Sequence, residues 1–214
     1  MTVTSEIIPD IAGIVLCGGL STRMGSPKAW LPFGPDEVLL QRIVRTLRAV
    51  VFPIVVVAAV GQALPDLPAD VLIARDEREA LGPLGGLASA FSVLQGRARA
   101  AYATACDVPL LNPAVVRRIC DSLGEADVAI AVEGKFHHPL AAVYRLTLEH
   151  RVRDLLDVQR LRPVYLLEQC HSVEIPVDSL RDLDPELDSF RNCNTPADYA
   201  AVLQRAGYDS NSAI

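Results

Sequence analysis

Short apolar runs alternate with amphipathic stretches along the chain. Ile11–Leu16 (IAGIVL), Ile54–Ala59 (IVVVAA), Val71–Ala74, Ala101–Ala105 and Asp127–Val132 (DVAIAV) are almost continuously apolar. That pattern predicts strands buried on both faces, as in a parallel sheet. Between them lie helical periods. Glu37–Val50 sets Val38, Leu39, Ile43, Val44 and Leu47 on one face and Gln41, Arg42, Arg45 and Arg48 on the other. Leu84–Leu94 reads as an apolar helix. Asn112–Leu123 reads as a helix with Asn112 as N-cap and Pro113 in its first turn.

This βαβ series predicts a three-layer α/β/α, Rossmann-like domain with a mostly parallel sheet and right-handed crossovers. The second half is less regular. Pro139–Tyr144 and Ser172–Pro176 read as strands. Leu146–Val158, Arg162–Gln169 and Pro196–Ala206 read as helices, the last capped by Thr195. No linker or internal repeat interrupts the chain. The expected organisation is an N-terminal extension at 1–10, one domain over 11–207, and a frayed tail from Tyr208 to Ile214.

Composition supports a single large core and narrows the function. Of 214 residues, 50% are hydrophobic and 21% charged, and the net charge is −6. No basic cluster marks a nucleic-acid surface. No apolar run is long enough to span a membrane. The five cysteines form no CxxC pair, and the count is odd. Free thiols in a reducing, cytoplasmic setting are expected. The first ten residues lack the basic start and apolar core of a signal peptide.

The chemistry concentrates after the first strand, in LCGGLSTRMGSPKAW, Leu16 to Trp30. A glycine-rich loop at the carboxyl end of a parallel strand lies where open α/β sheets bind ligands. Gly18 and Gly19 let a phosphate approach the backbone, whose successive N–H groups can form an anion-binding concavity. Arg23 and Lys28 add two positive charges suited to a polyphosphate. The spacing matches neither GxxxxGK[ST] nor GxGxxG, so neither a P-loop nor a dinucleotide fingerprint is present. A solvated, mobile loop is the alternative on loop chemistry alone.

Asp107 follows the predicted strand Ala101–Ala105, so its carboxylate faces the same crevice. It either ligates Mg²⁺, which takes one or two carboxylates with phosphate oxygens, or starts a turn before Val108-Pro109. The glycines of Gly82 to Leu87 (GPLGGL) serve either a ligand or close helix–sheet packing. Asp76 lies in a charge run that reads either as a solvated loop or as a nucleotide contact. Asn192 and Asn194 flank Cys193, and in an extended segment both amides face one side. His137 and His138 lack zinc-site spacing and read as loop residues or as contacts to an acceptor phosphate. Cys106 reads as a structural thiol, and Trp30 as packing at the end of the loop.

LCGGLSTRMGSPKAWLPF resembles the signature LxGGxSxRMGxxKxxLxx of the nucleotidyltransferase superfamily. GPLGGL (82–87), CDVPLL (106–111), HHPLAAVY (137–144) and FRNCNTPADY (190–199) then resemble, in order, segments of the molybdenum cofactor guanylyltransferase family. The resemblance implies transfer of GMP from GTP to the terminal phosphate of molybdopterin or molybdenum cofactor, with Mg²⁺ and loss of pyrophosphate. It places Leu16, Cys17, Gly18, Gly19, Lys28, Asp76, Gly82 and Asp107 at the nucleotide. It makes Arg23, Lys28 and Asp107 catalytic, with Asp107 the metal ligand, and sets Asn192 and Asn194 at the acceptor. Apo-molybdoenzymes or their chaperones are implied recipients. Cys17 stands where the family often has alanine, and Gln62 lies nearest the place of a family asparagine. The alternatives are CTP as donor, a sugar or polyol phosphate as acceptor, or a non-catalytic carrier.

Overall fold

A computed structural model describes residues 6–18, 27–76 and 81–208. Its strands are β1 (Ile11–Leu16), β2 (Ile54–Ala59), β3 (Leu72–Asp76), β4 (Ala100–Ala105), β5 (Val128–Glu133), β6 (Phe136–Arg145) and β7 (Ser172–Pro176). Its helices are α1 (Leu39–Arg48), α2 (Gly82–Leu94), α3 (Pro113–Asp121), α4 (Glu149–Asp157), α5 (Val164–Leu167) and α6 (Pro196–Arg205). The strands form one seven-stranded sheet in the order β3-β2-β1-β4-β6-β5-β7.

The lack of alternation in the apolar runs has its expected cause. In β1, Ile11 and Val15 enter a core shared with α1 and α3, while Ala12 and Ile14 enter one shared with α2 and α4. Helices therefore cover both faces, giving the α/β/α layering. Gly13 is required by the first of these cores, because a Cβ there would come 2.6 Å from Ile54 Cδ1. A smaller cluster of Phe33, Leu39, Cys193, Val202 and Leu203 docks α6 onto the start of α1.

The second half departs from the expected pattern in one strand. β6 runs antiparallel to both β4 and β5. It begins at Phe136, so His137 and His138 lie in a strand and not in a loop. Gly134, at φ +60°, makes the tight turn that returns the chain directly from β5. Pro139 is tolerated because the register jumps there: Ile130 faces Ala142 while the next residue, Ala131, faces His138. The residues between bulge out of the ladder, where a missing N–H costs no sheet hydrogen bond. Tyr208 is fixed and not frayed. Its ring packs edge-on against Phe33 at 5.4 Å, and its N–H donates to Leu203 O.

Strand order also places the site. β2 and β3 lie on one side of β1, and the chain then crosses back to put β4 on the other. The carboxyl ends of β1 and β4 thus flank a topological switch point, where the outgoing connections diverge and leave a crevice.

Candidate active site

Three separate segments meet in that crevice. Lys28 opens a short 3₁₀ turn, Lys28–Trp30. Its Nζ lies 2.6 Å from Asp107 Oδ2, just past β4, and donates to Asn194 Oδ1 at 2.8 Å. Both ionic side chains are largely covered, at 17% and 10% exposure. The second oxygen, Asp107 Oδ1, is buried with no partner among the described residues. A buried carboxylate oxygen without a donor is costly unless a ligand completes it.

The segment around Cys193 is laced to the same loop. Cys193 is buried, and its N–H donates to Asp107 O at 2.8 Å. Its neighbours Asn192 and Asn194 consequently face outward, as their alternation predicts. Asn112 caps α3 by accepting from Ala114 N, while its Nδ2 donates to Leu183 O. Asn112 N in turn donates to Ser189 Oγ at 3.0 Å. Buried Asp184 accepts from the Asp188 and Ser189 N–H groups and shapes the turn that presents Ser189. Thr195 and Asp198 then form a capping box that starts α6.

At the tip of β1, Leu16 ends the strand and Gly18 lies exposed beyond it. A Cβ at Gly18 would meet only Ala59 N at 3.6 Å, an ordinary contact, so packing does not demand glycine there. The opposite holds in α2. A Cβ on Gly86 would come 2.9 Å from Leu16 Cδ2, and one on Gly85 would come 2.6 Å from Leu81 Cβ. Gly86 therefore serves close packing under the end of β1, and Gly85 leaves room for Leu81 at the start of its own helix. Gly82 takes φ +61° at the start of α2 with open space around it.

Gln62 ties the tips of β1 and β2 together. Its Nε2 donates to Cys17 O at 3.2 Å and its Oε1 accepts from Ala59 N at 3.0 Å. Cys17 and Cys106 follow directly on the paired residues Leu16 and Ala105, and their thiols interact. Hydrogen bonding from Cys106, helped by Gln62 and the charge of Arg75, holds the Cys17 thiol below its usual pKa. The same contact, reinforced by burial, pushes Cys106 well above it. Cys106 is a structural thiol as expected, and all five cysteines are free.

Asp76 ends β3 and pairs with Ala59, two strands away from β1 at the same end of the sheet. It flanks the start of α2, with Oδ2 placed 3.5 Å from where a Cβ on Gly85 would lie. Trp30 is half-exposed and donates from Nε1 to Ala63 O. Gly19 and Arg23 lie outside the described residues. The structure thus joins Lys28, Asp107 and Asn194 directly and sets Leu16, Cys17 and Gly18 beside them. Asp76 and Gly82 stand further off, at the β3–α2 edge. The Cys17–Cys106 pairing and the clip of Asn112, Asp184 and Ser189 escaped the sequence, because each depends on contacts between distant segments. The cysteines' shared position, one residue past a predicted strand, is the only linear trace of theirs.

Comparisons with known proteins agree with this geometry. Residues 13–173 match the model of the MobA-like NTP transferase domain. A Mycobacterium avium protein named probable molybdenum cofactor guanylyltransferase is 35% identical over 200 residues, covering 91% of this chain and 96% of the relative. A Mycobacterium tuberculosis protein of the same name is 33% identical over 207 residues, covering 94% and 98%. In fold, the chain resembles the molybdopterin-guanine dinucleotide biosynthesis protein A of Archaeoglobus fulgidus, with a TM-score of 0.74 at 22% identity, covering 92% and 98%. With its switch-point crevice and near full-length relatives, the chain belongs to the MobA-like NTP transferase family.

Proposed function

We propose that this chain transfers GMP from GTP to the terminal phosphate of molybdopterin or of the molybdenum cofactor. The observation that carries the reading is the meeting of Lys28, Asp107 and Asn194 at the switch point, in a chain aligned nearly end to end with named guanylyltransferases. The family resemblance implies GTP over Leu16, Cys17, Gly18 and Gly19, with Asp76 and Gly82 also at the nucleotide and Arg23 and Lys28 on the triphosphate. It implies Asn192 and Asn194 at the acceptor.

In the reaction, an acceptor phosphate oxygen forms a bond to the α-phosphorus. The bond from that phosphorus to the bridging oxygen breaks, and pyrophosphate leaves with the electron pair. The nucleophile is already anionic, so no side chain need remove a proton. The protein's part is alignment and charge neutralisation. Lys28 places an ammonium beside the developing charge, and Cys193 holds the acceptor segment against the Asp107 loop. The orphaned, buried Asp107 Oδ1 suits a hard divalent cation, and Asp107 is the residue that would hold Mg²⁺. When bound, the ion supplies positive charge against phosphate oxygens.

Thermal shift with GTP, CTP, ATP and UTP plus Mg²⁺ tests the donor. GTP should stabilise the protein most. A larger shift with CTP would redirect the reading to a cytidylyl donor.

A further inference from the structure

Resting on that reading of the site, we propose that Lys28 is a built-in placeholder for the divalent cation. Its ammonium sits on Asp107 Oδ2 and opposes a second cation at the neighbouring Oδ1. Arrival of the nucleotide triphosphate opens the seat by drawing Lys28 onto phosphate.

The geometry carries this in three steps. First, Asp107 places its carboxylate at the crevice mouth between β1 and β4, and its Oδ2 is taken by Lys28 at 2.6 Å. The pair is too well covered for water to screen it as at an open surface. Second, a monocation and a dication on one carboxylate repel each other, so each weakens the other's binding. Third, Lys28 also donates to a neutral group, Asn194 Oδ1 at 2.8 Å. A polyphosphate offers the ammonium far more negative charge than that amide does. Metal and nucleotide are thereby coupled through one side chain. The coupling is reciprocal, because each ligand favours the arrangement in which Lys28 has left Asp107.

The same movement frees Asn194 Oδ1. The amide that the family resemblance assigns to the acceptor is engaged by Lys28, and becomes available once the donor has drawn Lys28 away.

The test uses the full chain, with Mn²⁺ as a paramagnetic probe of the seat, titrated without nucleotide and followed by the loss of the free-ion resonance signal. Lys28→Met removes the charge while keeping the length of the side chain. It should bind Mn²⁺ at least about tenfold more tightly than the unmodified protein, within the usual range of coupling between two sites. Adding Asp107→Asn to Lys28→Met should abolish the gain. Arg75→Met, which removes a charge near Cys17 but not on Asp107, should change Mn²⁺ affinity less than about twofold. Melting curves confirm folding, and Lys28→Gln replaces the methionine variant if that one does not fold. Equal Mn²⁺ affinity in the unmodified and Lys28→Met proteins would overturn the proposal. A gain that survives Asp107→Asn, or that Arg75→Met reproduces, would overturn it as well. Failure of GTP to bind either protein would instead strike the donor reading, since the Mn²⁺ comparison contains no nucleotide.

Discussion

The two halves of the sheet solve different problems. β1, β2 and β3 are parallel strands whose tips are tied by backbone and by Gln62, and they frame the side of the crevice proposed for the donor. On the other side, β6 runs antiparallel, its register jumps at Pro139, and the segment from Leu183 to Asn194 is held by hydrogen bonds to the β4–α3 loop. The first is held by helices and strands that pack through glycine. The second is held by polar side chains that clip an irregular segment in place. Loss of packing in the first should disturb GTP binding, and loss of a clip in the second should disturb the acceptor alone.

The sharpest way to probe the boundary between the halves is Lys28, which touches both. Lys28→Ala should lower turnover by about 10²–10³-fold, as removal of one preorganised charge-stabilising group does. The chain should still fold, with a lowered melting temperature, because Asp107 loses its covered ionic partner. Near-normal turnover would remove Lys28 from the chemistry. Within the donor half, Gly86→Ala forces a methyl to within 2.9 Å of Leu16 Cδ2. It should cost about 1–3 kcal/mol in a denaturant melt and weaken GTP binding, and Leu16→Ala in the same chain should restore part of the stability. In the acceptor half, Ser189→Ala leaves the Asn112 N–H without its partner, at a cost of about 1–3 kcal/mol. It should raise KM for the acceptor while leaving KM for GTP within about twofold, in line with the weak coupling expected of distant sites. Equal effects on both substrates would erase the distinction between the halves.

How the sequence foreshadowed the two halves follows the same division. Parallel strands buried on both faces write themselves as unbroken apolar runs, so β1, β2 and β4 are legible within a residue or so. Asp107 is legible because it stands just past a strand end, and Lys28 because it lies in the glycine-rich stretch that follows β1. β6 was hidden because its outer part carries Phe136, His137, His138 and Pro139, which do not make an apolar run, and its bulge breaks the period. The clip was hidden because Asn112 reads fully as a helix cap, and nothing near it in sequence names Leu183 or Ser189.

The smallest expected effect belongs to β6. His138 packs between the rings of Phe136 and Phe190 at 4.8 and 5.2 Å. Burial holds its pKa below the ordinary value, opposed by the Glu133 carboxylate and aided by His137. A histidine lowered in the folded state favours the neutral ring there. Its contribution is complete above the unfolded pKa and is lost as pH falls through the folded one. The stability advantage of the unmodified protein over His138→Gln should therefore shrink between about pH 8 and about pH 5. An advantage that grows on acidification would mean that the ring is held as a cation.

The central claim is guanylyl transfer at the Lys28–Asp107 crevice, and pyrophosphate release tests it most directly. With GTP, Mg²⁺ and a molybdopterin source, pyrophosphate should appear in step with a GMP-bearing pterin. Omitting either substrate or substituting Asp107→Asn should abolish both products. GTP that binds yet releases no pyrophosphate with any phosphorylated acceptor would contradict the account and identify the chain as a nucleotide carrier.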